Sequence, residues 1–170
     1  RLDATIGGYE HDEGKSLIVV INKWDLIAKN THTVHELEEK FRFRMRFLDY
    51  APMVFVSAKT GQRVFKLLDY VDRAGRARRF RIPTAELNRL VESRIQSRIP
   101  SAGRERHPLL YVSQTATAPP TFVLFTRTRK NLHFSIERYI VNQLRQEYNF
   151  YATPIRVFQR TRSTIRSRSS

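Results

Sequence analysis

The chain has 170 residues, 41% of them hydrophobic, with 31 Lys plus Arg against 16 Asp plus Glu and a net charge of +15. It has no Cys, so a disulfide framework, a Cys-based zinc site and a thiol nucleophile are excluded. Its longest aliphatic run, Leu17-Ile18-Val19-Val20-Ile21, falls far short of the roughly 20 apolar residues that span a bilayer. The composition predicts a soluble, core-forming protein of a reducing compartment with a polyanionic partner, built as one domain or two small ones. No signal-peptide pattern opens the sequence. It begins with Arg1 rather than Met, and we expect it to be a piece of a longer chain.

In chain order, Leu17–Ile21 reads as a short buried parallel strand. Val34, Leu37, Phe41, Met45 and Leu48 have helical spacing over residues 33–48, with Thr33 and Glu36 placed as a capping box. Met53–Val56 reads as a second buried strand, and Val64, Leu67, Leu68 and Val71 mark a second helix. Strand, helix, strand, helix is an α/β order. Arg73-Ala74-Gly75-Arg76-Ala77-Arg78-Arg79-Phe80-Arg81 is a basic run before Ile82-Pro83-Thr84, where one helix ends and another begins.

Beyond that run, Leu87, Leu90, Val91 and Ile95 predict a helix over 84–98. Leu109–Ser113 and Thr121–Thr126 predict strands, separated by an Ala118-Pro119-Pro120 turn. Ile136, Ile140, Gln143, Leu144 and Tyr148 predict a helix with Ser135 as its N-cap, and Ile155–Phe158 a closing strand. The α-β-β-α-β order packs helices on one face of a small sheet. Three segments result: 1–79, 80–160 and a basic, Ser-rich tail 161–170 expected to be disordered when free. Residues 1–79 hold 15 basic and 11 acidic side chains, net +4, and residues 80–170 hold 16 and 5, net +11. The excess in the second part points to RNA or DNA as its partner.

Asn22-Lys23-Trp24-Asp25 follows the first strand, where open α/β sheets bind ligands. An Asp carboxylate accepts from both the ring N–H and the exocyclic amine of guanine, whereas adenine lacks that amine and turns an acceptor toward it. Charge-assisted bonds of about 1.5–3 kcal/mol each then select guanine. Lys23 can lay its stem over the base, and Asn22 can tie neighbouring loops together. Taken alone, N-K-x-D recurs by chance roughly once per ten thousand positions. However, Ser57-Ala58-Lys59-Thr60-Gly61 follows the second strand, 35 residues after Asn22. A backbone N–H there can donate to the guanine carbonyl oxygen. Both motifs stand at strand C-termini, one β-α unit apart. The candidate guanine-binding set is therefore Asn22, Lys23, Asp25, Ser57, Ala58 and Lys59.

This pair resembles the guanine-recognition half of a translation-factor-class GTPase domain, and its surroundings resemble a more specific family. Ala4-Thr5-Ile6-Gly7-Gly8-Tyr9, Gly14-Lys15, Phe47-Leu48-Asp49-Tyr50-Ala51-Pro52, Ser57–Gln62 and Ile82-Pro83-Thr84-Ala85-Glu86-Leu87-Asn88 are similar to the second G domain of the Der (EngA) GTPases. Pro119–Phe125, His133-Phe134-Ser135 with Tyr139, Asn142-Gln143-Leu144-Arg145 and Thr153-Pro154-Ile155-Arg156 are similar to that family's C-terminal KH-like domain. The resemblance implies a partial P-loop-type G domain, its last strands and helices, followed by a small α+β KH-like domain. It also implies GTP and GDP with Mg²⁺ as cofactors, GTP hydrolysis by the full-length parent and a cytoplasmic role in large ribosomal subunit assembly. Implied partners are ribosomal RNA and the first G domain of the same parent chain, with no membrane involved and a monomeric state expected.

No G-x-x-x-x-G-K-[ST] occurs in the 170 residues, so the phosphate cradle, its lysine and the Mg²⁺-binding hydroxyl are expected in a preceding segment. Asp72-Arg73-Ala74-Gly75 matches D-x-x-G only by coincidence, since it follows the guanine motifs. The chain by itself is expected not to hydrolyse GTP and to bind it weakly or not at all. Without an inner neighbour, the strand 17–21 is expected to expose an apolar edge.

Gly103 is the only Gly after residue 79, so no GXXG loop clamps an RNA backbone. Arg127, Arg129, Lys130 and Arg156 are the candidate phosphate contacts. His32, His35, Glu36 and Glu39 have metal-compatible spacing but read more simply as a solvated helix start. Phe41, Phe43 and Phe47 alternate with Arg42, Arg44 and Arg46, and read more simply as packing with exposed arginines. Trp24 is expected to pack beside the base pocket, and Arg94 and Arg98 to snorkel or to mark a docking surface for an absent domain. The rival to a GTPase is a nucleotide-independent RNA- or ribosome-binding adaptor.

Overall fold

The computed structural model describes residues 2–27, 31–95, 109–127 and 132–161, without the side chains of residues 2–4, 31 and 32. The elements are α1 (Leu2–Asp12), β1 (Val19–Ile21), α2 (Thr31–Arg44), β2 (Met53–Phe55), α3 (Lys66–Arg79), α4 (Thr84–Leu90), β3 (Leu109–Thr117), β4 (Pro120–Thr126), α5 (Phe134–Glu147) and β5 (Arg156–Thr161). Short 3₁₀ turns cover Trp24–Leu26 and Arg46–Leu48, and a π turn, Val91–Ile95, continues α4. The chain divides into two compact units. One comprises Arg1–Arg78 with Phe150–Pro154, and the other Arg79–Asn149 with the chain from Ile155.

In the first unit β1 and β2 run parallel, with Val19 beside Met53, Val20 beside Val54 and Ile21 beside Phe55. Val54, Phe55 and Val56 are buried, while Val20 is 43% exposed on the edge strand. The capping box expected at Thr33 is not the helix start, because α2 already begins at Thr31. The helix also stops at Arg44, so Met45 and Leu48 leave the predicted stripe for a 3₁₀ turn. Arg42 accounts for the stop. Its guanidinium donates to the carbonyls of Leu48 (2.7 Å), Asp49 (3.0 Å) and Ala51 (2.8 Å), fixing the chain just past the helix end. Leu48 is buried, and a Cβ on Gly7 would come within 2.9 Å of its Cδ1. Glycine thus lets α1 close on this turn.

α3 extends to Arg79, placing Asp72–Gly75 in mid-helix rather than at a helix end. Ala74 and Ala77 are its buried positions, and Leu68 and Val71 are exposed, contrary to the predicted apolar stripe. The segment Phe150–Pro154 completes this unit. The Leu17 amide donates to the Ala152 carbonyl (2.8 Å), Ser16 and Thr153 join hydroxyls (2.8 Å), and the Arg73 guanidinium lies 4.0 Å from the Tyr151 ring centroid.

In the second unit the sheet order is β3-β4-β5, antiparallel and then parallel. Pro120 is the first residue of β4, a position that needs no ladder donor, and the Ala118–Pro119 bond is cis. Val112, Phe122 and Leu124 form a fully buried face with Ile140 and Leu144 of α5 and Leu87 of α4. Asn88 fixes α4 to β3: its amide donates to the Val112 carbonyl (3.1 Å) and its oxygen accepts the Val112 N–H (3.0 Å). The buried Gln114 is satisfied by the Ile82 N–H (2.8 Å) and the Phe80 carbonyl (2.9 Å). His133, not Ser135, caps α5, its Nδ1 accepting the Ser135 N–H. Arg94 ion-pairs with Glu147 at 2.9 Å. Arg98 and the tail beyond Thr161 lie outside the described residues.

Tyr148, at the end of α5, is buried. Burial first, then the negative charge of Glu86 and a hydrogen bond to it, push the phenol from 10.0 up to about 12. The fold thus favours the neutral phenol, and the unfolded chain ionises first. The stabilisation is full below pH 10 and is lost as pH rises from 10 toward 12. Tyr148→Phe is expected to flatten the decline in melting temperature across that window, with a remainder from Tyr151. Burial and then Tyr70 raise the Tyr151 phenol in the same direction. An undiminished decline in the variant would remove Tyr148 from the account.

Candidate guanine-binding site

The backbone pairing of β1 and β2 continues past the strands, to Val56 after β2 and Trp24 after β1. The Val56 amide donates to the Ile21 carbonyl (2.8 Å), and the Trp24 amide donates to the Val56 carbonyl (3.0 Å). This pairing brings the two sequence motifs side by side at the strand C-termini. Trp24 is buried and lies 4.7 Å from the Phe55 ring, centroid to centroid, so it packs under the loop as expected. Between them, Lys23 takes a left-handed conformation (φ 62°) and is exposed. For a non-glycine residue this is an uncommon backbone state, of a kind that concentrates at functional loops.

Two side-chain bonds join the motifs. Asn22 Oδ1 accepts the Lys23 N–H (2.7 Å) and the Ala58 N–H (3.0 Å), so one amide oxygen fixes its own loop and ties it to the next. The Ser57 hydroxyl donates to Asp25 Oδ1 (2.5 Å). Ser57 is fully buried and its oxygen also accepts the Thr60 N–H (3.3 Å). The second loop closes through the Ser57 N–H, which donates to the Gln62 carbonyl (3.1 Å), with Gly61 at φ 74° making the reversal. Gln62 was not among the sequence candidates. The signal for it is Gly61, whose left-handed turn predicts a return to the preceding strand.

The arrangement presents a carboxylate, aimed by a buried hydroxyl, next to an exposed lysine. A carboxylate has about four acceptor sites, and Ser57 uses one of them among the described residues. The remaining acceptors suit a ligand with two adjacent N–H donors, the pattern on one edge of guanine. The sequence offered a backbone N–H of the Ser57–Gly61 loop for the base carbonyl, and that of Ala58 already donates to Asn22. A base oxygen arriving there competes with Asn22 for that proton. Among the described residues no group of three or more His, Asp or Glu side chains is placed to hold a metal ion.

Of the candidate phosphate contacts, Arg127 is exposed just after β4, and Arg156 is half-buried at the start of β5. Arg129 and Lys130 lie outside the described residues. Of the aromatic–arginine run, Phe43 is exposed with the Arg46 guanidinium 5.1 Å from its ring centroid, and Phe41 is half-buried. His35 pairs with Glu39 one helical turn on, at 3.7 Å.

Residues 9–76 match the family of the elongation factor Tu GTP-binding domain, and residues 81–160 match the C-terminal KH-domain-like family of EngA bacterial GTPase enzymes. Among curated proteins, the chain is 43% identical over 161 residues to GTPase Der of Desulforamulus reducens, covering 94% of this chain and 37% of that protein. It is 44% identical to GTPase Der of Symbiobacterium thermophilum over 161 residues, covering 94% of this chain and 34% of that protein. Against GTPase Der of Moorella thermoacetica the identity is 43% over 162 residues, covering 94% and 37%. The chain thus spans little more than a third of the length of these relatives. The two family matches in this order, and relatives of one name across nearly all of its residues, place the chain in the EngA (Der) GTPase family.

Proposed function

We propose that the chain is the guanine-reading and RNA-directed part of a GTPase that acts in large ribosomal subunit biogenesis in the cytoplasm. Asp25 reads the two donors of guanine, Lys23 covers the base, and Asn22 with Ser57, Ala58 and Lys59 holds the pocket. The observation that carries this reading is the pair of bonds joining the motifs, Asn22 to Ala58 and Ser57 to Asp25. A solvated strand end requires neither. The residues present fit the base of GTP or GDP, and they supply no phosphate cradle. In this reading Mg²⁺, the phosphates and the hydrolytic water are handled by a segment corresponding to the part of the relatives that this chain does not match. Phosphoryl transfer depends on that positioning and charge. The second unit, with its net basic charge and EngA KH-like match, supplies contact with ribosomal RNA.

The test compares two proteins for GTP turnover and for binding of a fluorescent GDP analogue. One is the 170-residue chain. The other is a chimaera in which only the preceding part of the second G domain of the Desulforamulus reducens relative, without its first G domain, precedes residue 1. We expect turnover at the buffer-control level and weak binding for the chain alone, with both gained in the chimaera. Turnover by the chain alone, or a chimaera that folds and binds no guanine nucleotide, contradicts the proposal. The adaptor reading then takes its place.

A further inference from the structure

We propose that the face of the β3-β4-β5 sheet opposite its buried core binds single-stranded RNA, bases stacking on Tyr111, Phe125 and Phe158 and phosphates on Arg156 and Arg160. This rests on the RNA-directed reading above and gives it a site. The register defines the face. Tyr111 stands beside Phe125, Ser113 beside Val123, Phe158 beside Val123, Arg160 beside Phe125 and Arg156 beside Thr121. Alternate residues, Val112, Phe122 and Leu124, point to the other side and are fully buried. On the first side Phe158 is 53% and Tyr111 39% exposed. Between them on β4, Phe125 is half-buried and Val123 is buried, and soluble domains seldom leave two such large rings open on one sheet face without a use.

The chemistry of the face points to one class of ligand. The Tyr111 and Phe125 rings stack on each other at 4.4 Å and 17°, so a base adds to the end of an existing aromatic stack. Two arginines of β5 border it, and Arg127 is exposed at the end of β4. The three strands contain no Asp or Glu, so nothing on them repels a phosphate. Rings beside arginines, with no acid among them, are the elements of a stacking platform for unpaired bases. A duplex keeps its bases stacked internally and offers such rings nothing to lie on. A protein partner would need a matching acidic face to use the row of positive charge, whereas an RNA strand carries a phosphate at every residue. The sequence has no GXXG loop, so a clamp of that kind does not compete for the role.

Fluorescence anisotropy on the 170-residue chain tests this, with a labelled 12-nucleotide unstructured RNA and a 12-base-pair RNA duplex as probes. The expected result is tighter binding of the single strand. Phe158→Ala should weaken it about tenfold, Phe158→Tyr should restore it, and neither should shift the duplex. Arg160→Gln should weaken single-strand binding and lower its salt slope by about one. Phe158 is exposed, so the melting temperatures of these variants should match the parent and separate lost binding from lost folding. Single-strand binding that Phe158→Ala leaves unchanged, or equal affinity for both probes, overturns the stacking face while leaving an RNA role elsewhere intact. No binding of either probe overturns the RNA-directed reading itself, and a protein then becomes the partner to seek.

Discussion

Asp25→Asn is expected to weaken guanine-nucleotide binding by about 10²–10⁴-fold and to improve binding of the xanthine analogue. The carboxylate accepts two N–H bonds of about 1.5–3 kcal/mol each, and their sum converts to that range. The amide keeps an acceptor at one position and turns a donor toward the exocyclic amine of guanine at the other. Xanthine carries a carbonyl in place of that amine, so the amide suits it. The Ser57 hydroxyl, which donates to Asp25 Oδ1, has the same acceptor in the variant and keeps the side chain aimed. The measurement is competition between guanine and xanthine diphosphates in the chimaera described above. Equal selectivity in parent and variant would mean that Asp25 does not read the base.

Phe122→Ala is expected to cost about 3–5 kcal/mol, the range for removing a buried aromatic ring. Phe122 is completely buried in the central strand, with Gln114 beside it on β3 and Val157 on β5. Domains of this kind are stable by only about 5–15 kcal/mol. For a unit of this size the melting temperature should fall by about 12 °C or more, read by circular dichroism. Phe158→Ala, in the same sheet but facing outward, is the matched control. A fall of similar size in that control would show that sheet propensity, not core packing, sets the loss.

The meeting of the two candidate motifs was legible in the sequence because its signals are local. Two short motifs at strand ends, with Gly61 turning the second loop, define the site before any long-range pairing is known. The KH-like order was legible for the same reason, each strand and helix carrying its own apolar period. The helix α1 was not. Its Gly7 and Gly8 lower helix propensity, Ile6 and Tyr9 are exposed, and its contacts are distant in sequence: Gly7 close to Leu48, and His11 against Phe47 and Tyr50. Leu68 and Val71 misled in the opposite direction, since an apolar period reports a face suited to burial and not what covers it. The His133 cap was missed because Ser outranks His in cap preference, whereas here the imidazole of His133 takes the Ser135 amide. In the second loop, the sequence offered a backbone N–H as a donor but did not reveal that Asn22 already holds that of Ala58.

The assignment of Phe150–Pro154 to the first unit has a consequence for how the chain is made. The Leu17 amide finds its partner at Ala152. Synthesis runs at about 5–20 residues per second, so the amide emerges roughly 7–27 s before that carbonyl exists. Within that interval β2 is made and can pair with β1, and the two motif loops can join, while the Leu17 amide still lacks its partner. The second unit, all but its last strand, is translated in the meantime. The unit that begins first on the ribosome is therefore completed only after most of its neighbour has been made.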